Sequence, residues 1–159
     1  MDIARLEEII GYKKRIIELI LSDPDLCKAL YYGENDFLDQ PELSDSAAML
    51  YNKVFPYPFV PGTETSPGLF LTVSAGDFAK VNEIYKSGVM IVRLFAHQDS
   101  QETAYGVTRT DYAMSKVDGL LRQAKGFGLG GLKFRELNPL AVNEKYQGVN
   151  LQYQCVDFG

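Results

Sequence analysis

The sequence predicts an α+β fold: a sheet of about four mostly antiparallel strands, packed by an N-terminal helix and a central helix, in the order α-α-α-β-β-α-β-β. Two observations carry it. Leu69, Leu71, Val73 and Ala75 alternate with Phe70, Thr72 and Ser74, and Val149, Leu151, Tyr153 and Cys155 alternate with Asn150, Gln152 and Gln154. That period of two marks strands with one wet face. Ala113, Val117, Leu120, Leu121 and Ala124 instead recur at helical spacing.

The first helix runs from Ile3 to Leu21, with Ile9, Ile16, Ile17 and Ile20 on its apolar stripe and Asp2 as the expected N-cap. Asp23-Pro24 ends it, and Pro24 opens a short second helix through Leu30. Glu34 to Asp45 carries five acidic and no basic residues, but it lacks the glycine and the alternation of a calcium loop, so it reads as a solvated loop. Ser44 or Asp45 then caps a third short helix, Ala47 to Val54.

Phe55 to Pro67 holds four prolines in thirteen residues and must run extended. Its Phe55, Tyr57, Phe59 and Val60 are too apolar for a linker and are expected against the core or a neighbouring subunit. The strands then follow at 69–76, 87–97, 131–137 and 148–157, with the central helix, capped by Thr108 or Thr110, between the second and third. That helix ends at Lys125-Gly126. The segments around 77–87 and 138–148 are long for turns, and the first reads as a projecting hairpin or loop. All 159 residues form one domain.

Chemical reagents are scarce. Net charge is −5, so a phosphate backbone is repelled at long range, and Lys13-Lys14-Arg15 reads as a solvated helix face. Cys27 and Cys155 are isolated, which removes CxxC-based zinc or redox sites and points to buried, reduced thiols. The N-terminus lacks the pattern of a secretory signal, and no apolar run is long enough for a membrane span, so a protein soluble and intracellular at birth is expected. Gly126, Gly128 and Gly131 fit G-x-G-x-x-G by letter, but a helix leads in and a strand leads out, the reverse of a dinucleotide site. His97, with Asp99, Ser100 and Glu102 close behind, could be drawn as a hydrolase centre, yet a strand-end histidine bonded to backbone accounts for it more simply. Arg109 and Asp111 straddle the start of the central helix and are expected to pair with one another or with a partner. Ten tyrosines, several of them in loops, suit a contact surface.

Three stretches together resemble tail terminators, or closely related neck proteins, of long-tailed bacteriophages. They are Phe55-Pro56-Tyr57 with Phe59-Val60-Pro61, Tyr105 to Tyr112, and Gly126 to Gly130 followed by Leu140 to Glu144, Tyr146-Gln147-Gly148 and Val156-Asp157-Phe158. The resemblance implies a virion protein, assembled in the host cytoplasm, without catalytic residue, metal or cofactor. Its subunits would close a homo-oligomeric ring, a hexamer in such families, on the tail tube protein and then meet the head-closure connector. DNA would pass through an acidic lumen unbound. The two long connections are then the contact loops, with Phe78, Lys80, Asn82, Ile84, Tyr85, Lys86, Asn143, Lys145 and Tyr146 as interface candidates. The alternatives are another neck or minor tail protein, a peptide-binding adaptor using a free strand edge, and the His97 hydrolase.

Overall fold

The computed structural model describes residues 6–82, 85–128 and 130–158. The expected Asp2 cap, Ile3 and the interface candidate Ile84 lie outside them. Helix α1 spans Glu7–Leu21 and buries Tyr12, Ile16, Ile17 and Ile20. Helix α2, Pro24–Tyr31, starts as its sequence requires: Asp23 Oδ1 accepts from the Leu26 N–H at 3.0 Å, and Pro24 fills the first turn, where an N–H would have no partner. Helix α3, Arg109–Arg122, is capped by Thr108, whose Oγ1 accepts from the Asp111 N–H at 3.0 Å.

The expected third helix is a correction. Ser46–Met49 forms a single 3₁₀ turn, after which Tyr51 adopts φ 63° and breaks the helical path. Val54–Phe55 instead becomes a two-residue strand, β1, parallel to Leu71 and Thr72. Lys53 drives this reversal, because it is buried and its ammonium donates to Ser66 Oγ at 3.0 Å and to the Pro67 carbonyl, 4.7 Å above the Phe70 ring.

The remaining strands are β2 (Phe70–Lys80), β3 (Tyr85–His97), β4 (Lys133–Ala141) and β5 (Tyr146–Phe158). They form one five-stranded sheet in the order β1-β2-β3-β5-β4, antiparallel throughout except for β1. The connections read as long are therefore much shorter. Strand β2 bulges at Asp77, which takes φ 55°, then pairs again through Lys80, and only four residues separate it from Tyr85. Likewise β4 continues through Pro139 to Ala141, which an edge strand tolerates because the missing N–H costs no ladder bond there.

Both faces of the sheet centre are covered. On one, α1 and α3 pack over Leu71, Val73, Met90, Val92, Leu94, Leu151, Tyr153 and Cys155. Tyr153 pins α3 to β5 by donating its hydroxyl to Asp118 Oδ1 at 2.6 Å, and burial pushes that phenol upward. On the other face Phe55, Phe70, Phe95 and Tyr146 form a second cluster, with Phe59 stacked on Phe55 at 4.0 Å. The proline-rich segment thus lies against its own sheet.

Burial, with the Arg109 charge second, pulls the Lys53 ammonium down to about 8 from 10.5. The folded state then binds fewer protons than the unfolded chain between those values, so this group makes stability rise with pH there. Above pH 9 the Cys27 thiol, pushed up to about 11 mainly by burial, acts in the opposite sense. Wild-type unfolding free energy should therefore gain up to about 1 kcal/mol between pH 8 and 9. Denaturant titrations of Lys53→Met should show a flat profile over that interval; a retained rise would remove Lys53 as its source.

Candidate functional site

The two predicted contact regions lie at opposite ends of the sheet. The β2–β3 turn sits where Tyr85 pairs with Phe158, and the β4–β5 turn sits where His97 pairs with Tyr146. Thirteen residues of β3 separate these ends, or about 40 Å at the rise of an antiparallel strand. Both turns use the same device. Asn82 Oδ1 accepts from the Tyr85 N–H at 2.9 Å, and Asn143 Oδ1 accepts from Lys145 and Tyr146 N–H groups at 2.9 and 3.1 Å. Asn143 also donates to the Pro61 carbonyl at 3.0 Å, tying its turn to the proline-rich segment.

Several interface candidates are spent on the fold itself. Lys86 is buried and pairs with Glu8 at 3.4 Å, because its alternation on β3 turns it under α1. Tyr146 is buried too, its hydroxyl donating to the Glu64 carbonyl at 2.8 Å and its ring packed edge-on to His97. Phe78 is half-buried over Gly88 of β3, where a Cβ would lie 2.3 Å from the phenyl ring. Lys80 is exposed, and Tyr85 and Lys145 are partly exposed.

His97 is buried at the end of β3. Its Nδ1 accepts from the Asp99 N–H at 3.1 Å, so the proton resides on Nε2, which donates to the Thr63 carbonyl at 3.2 Å. Each nitrogen thus meets a backbone group, holding the Thr63 loop and the turn at Gln98–Ser100, and the exposed Asp99 carboxylate lies 3.4 Å from Nδ1. Arg109 does not pair with Asp111. It is fully buried and donates to the carbonyls of Ser100, Ala29, Gly33 and Glu34 at 2.8, 2.9, 3.3 and 2.9 Å, with Phe37 4.7 Å beneath its guanidinium. Among the described residues no cluster of His, Cys, Asp or Glu is disposed to hold a metal ion, and no helix is long and apolar enough to cross a membrane.

Two apolar surfaces stand out that the strand pattern alone did not single out. One is the free edge β4, where Phe134 is 53% and Leu137 46% exposed. Both share the helix-covered side of the sheet with Tyr153 and Leu151, yet each stays about half exposed. The other is a groove of about 420 Å³ between α1 and the β1 region, walled by Ile10, Ile17, Leu21, Leu50, Tyr51 and Pro56. Ile10 is 58% exposed there, on a helix whose opposite side is core. The β1 region and β4 are the two edges of the sheet, so these surfaces face away from each other. The sequence signal for the groove was the width of the α1 stripe, which holds more isoleucine and leucine than one buried face can use.

Fold and surfaces together define a small α+β domain whose sheet is covered at its centre and apolar at both flanks. The chain belongs to the YomW family, which matches residues 23–155 and is phage-derived, of the SPbeta type of Bacillus. No curated protein and no solved structure matches it.

Proposed function

We propose that the protein is a tail-terminator subunit of a phage virion, a ring-forming protein that caps the tail tube, stops its polymerisation and joins tail to head. The observation that carries this reading is the pair of unlike apolar flanks on opposite edges of one sheet, Phe134 with Leu137 and the Ile10–Tyr51 groove. A contact between unlike surfaces is heterologous, and it forms a ring where its repeated rotation closes. Phage ancestry of the family supports the same assignment.

Ring closure leaves the strand ends free. The β2–β3 turn and the β4–β5 turn, about 40 Å apart, would then meet different neighbours, the tail tube on one side and the head-closure connector on the other. A net charge of −5 suits a lumen that DNA crosses without sticking. The alternative within this class is a head-closure or other neck protein, which would use the same flanks at a different level of the stack.

Deleting 77–87 would remove Phe78 and Lys86 from their packing, so the informative change is smaller. Replacing residues 81–85 by Asn-Gly puts a two-residue turn between Lys80 and Lys86, which already pair, and so preserves the register of the ladder. Phage carrying this change should make the protein in normal amount, yet electron microscopy should find overlong or headless tails. Tails of normal length on filled heads would defeat the role of this turn.

A further inference from the structure

The second face of the sheet carries a polar row that neither the ring reading nor the core explains. Thr72 of β2 pairs with Arg93 of β3, and Arg93 pairs with Asn150 of β5, so the three side chains stand side by side across adjacent strands. Thr72 is 1% exposed, and its Oγ1 and the Asn150 Oδ1 are buried without a hydrogen-bond partner. Arg93 is partly buried, and among the described residues its guanidinium has no hydrogen-bond or ion-pair partner. All three line a pocket of about 260 Å³ beneath the proline-rich segment, whose apolar walls are Phe59, Phe95, Leu140 and Val142.

Buried polar groups are nearly always satisfied, and leaving one unmade costs more than an average hydrogen bond contributes. Thr72, Arg93 and Asn150 thus border one hollow, and two of them carry a polar atom that the fold leaves without a partner. Arg93 is the only charged group among the lining residues, in a chain that is acidic overall. The row therefore offers an anion several N–H donors and a hydroxyl, with a carbonyl acceptor beside them for a neighbouring N–H. The walls ask for an apolar group, and the volume admits about one residue.

We propose that this pocket binds the carboxylate of a chain-terminal apolar amino-acid residue. The carboxylate sits on Arg93 and Thr72, the residue's own N–H donates to Asn150 Oδ1, and its side chain lies between Phe59 and Leu140. The occupant is thus the C-terminal residue of a partner polypeptide, held under the proline-rich segment. This assignment does not depend on the terminator reading, since it is tested on the isolated protein with small molecules.

The test is a titration of ¹⁵N-labelled protein, followed by NMR, with N-acetyl-leucine, N-acetyl-leucinamide and N-acetyl-glutamic acid α-amide. N-acetyl-leucine should shift the amides of Phe59, Thr72 and Asn150 saturably, and the amide analogue should bind at least about 10-fold more weakly. Arg93→Gln should abolish the response, and Thr72→Val, of matched volume, should weaken it if Arg93→Gln fails to fold. Equal binding of acid and amide, or no saturable shift in the folded wild type, would overturn the proposal. Tighter binding of the glutamate derivative would overturn the chain-terminal assignment in favour of an acidic side chain.

Discussion

Replacing Arg109 by methionine should lower the unfolding free energy by about 3–5 kcal/mol, the range for breaking a buried charged network from one side. Its guanidinium joins four pieces of chain: the end of α2 at Ala29, the loop at Gly33 and Glu34, the turn at Ser100 and the start of α3. Methionine fills similar space but leaves those carbonyls without their donor, and the bonds to Ser100 and Ala29 are buried. The loss is a large share of the stability of an ordinary domain. Burial does lower the basicity of this guanidinium, yet arginine stays charged at any working pH. Arg109→Lys should recover little, because a point charge cannot span the fork that reaches three segments. Denaturant midpoints of the two variants decide the matter. A lysine variant within about 1 kcal/mol of wild type would show that charge alone suffices.

The second large effect concerns assembly. If unlike flanks close the ring, Phe134→Glu and Ile10→Glu should each abolish ring formation on tail tubes while leaving the monomer folded. Both positions are more than half exposed, so neither change disturbs the core. Each inserts a charge where the contact needs apolar area, at a cost of several kcal/mol per interface. Mixing the two variants supplies a sharper outcome. The intact α1 groove of the Phe134→Glu chain can still accept the intact β4 edge of the Ile10→Glu chain. Every further step is blocked, so light scattering should find a heterodimer and no larger species. A ring formed by either variant alone would end the heterologous reading, and with it the main support for a terminator.

Much of the scaffold was legible in the sequence because its signals are local. Asp23-Pro24 and Thr108 set helix starts through contacts within three residues, and the alternation from Leu69 to Ala75 and from Val149 to Cys155 needs no distant information. The expectation of a third helix over Ala47 to Val54 failed for a nonlocal reason. Lys53 found Ser66, Pro67 and Phe70, and pairing of Val54 with Leu71 outweighed a weak helical preference. The strands flanking the two long connections were read too short in the same way. Polar alternation on an exposed edge such as β4 resembles loop composition until a partner strand supplies the ladder.

The site was less legible than the fold. Lys86 and Tyr146 carry the composition of an interface, but which side of a strand they occupy depends on register, and register turned both inward. Arg93 was visible as a lone charge inside an apolar run, though its meaning required Thr72 and Asn150 beside it. Taken by itself, the order of residues determined an α+β domain, its main helices and strands, and the scarcity of reagents. Only the tertiary structure decided that Arg109 and His97 bind backbone, that the proline-rich segment roofs a pocket, and that two apolar flanks oppose each other. The division has one cause. Caps and periodicity act over a few residues, whereas burial and hydrogen-bond partners join positions many tens of residues apart, and those pairings exist only once the sheet has formed.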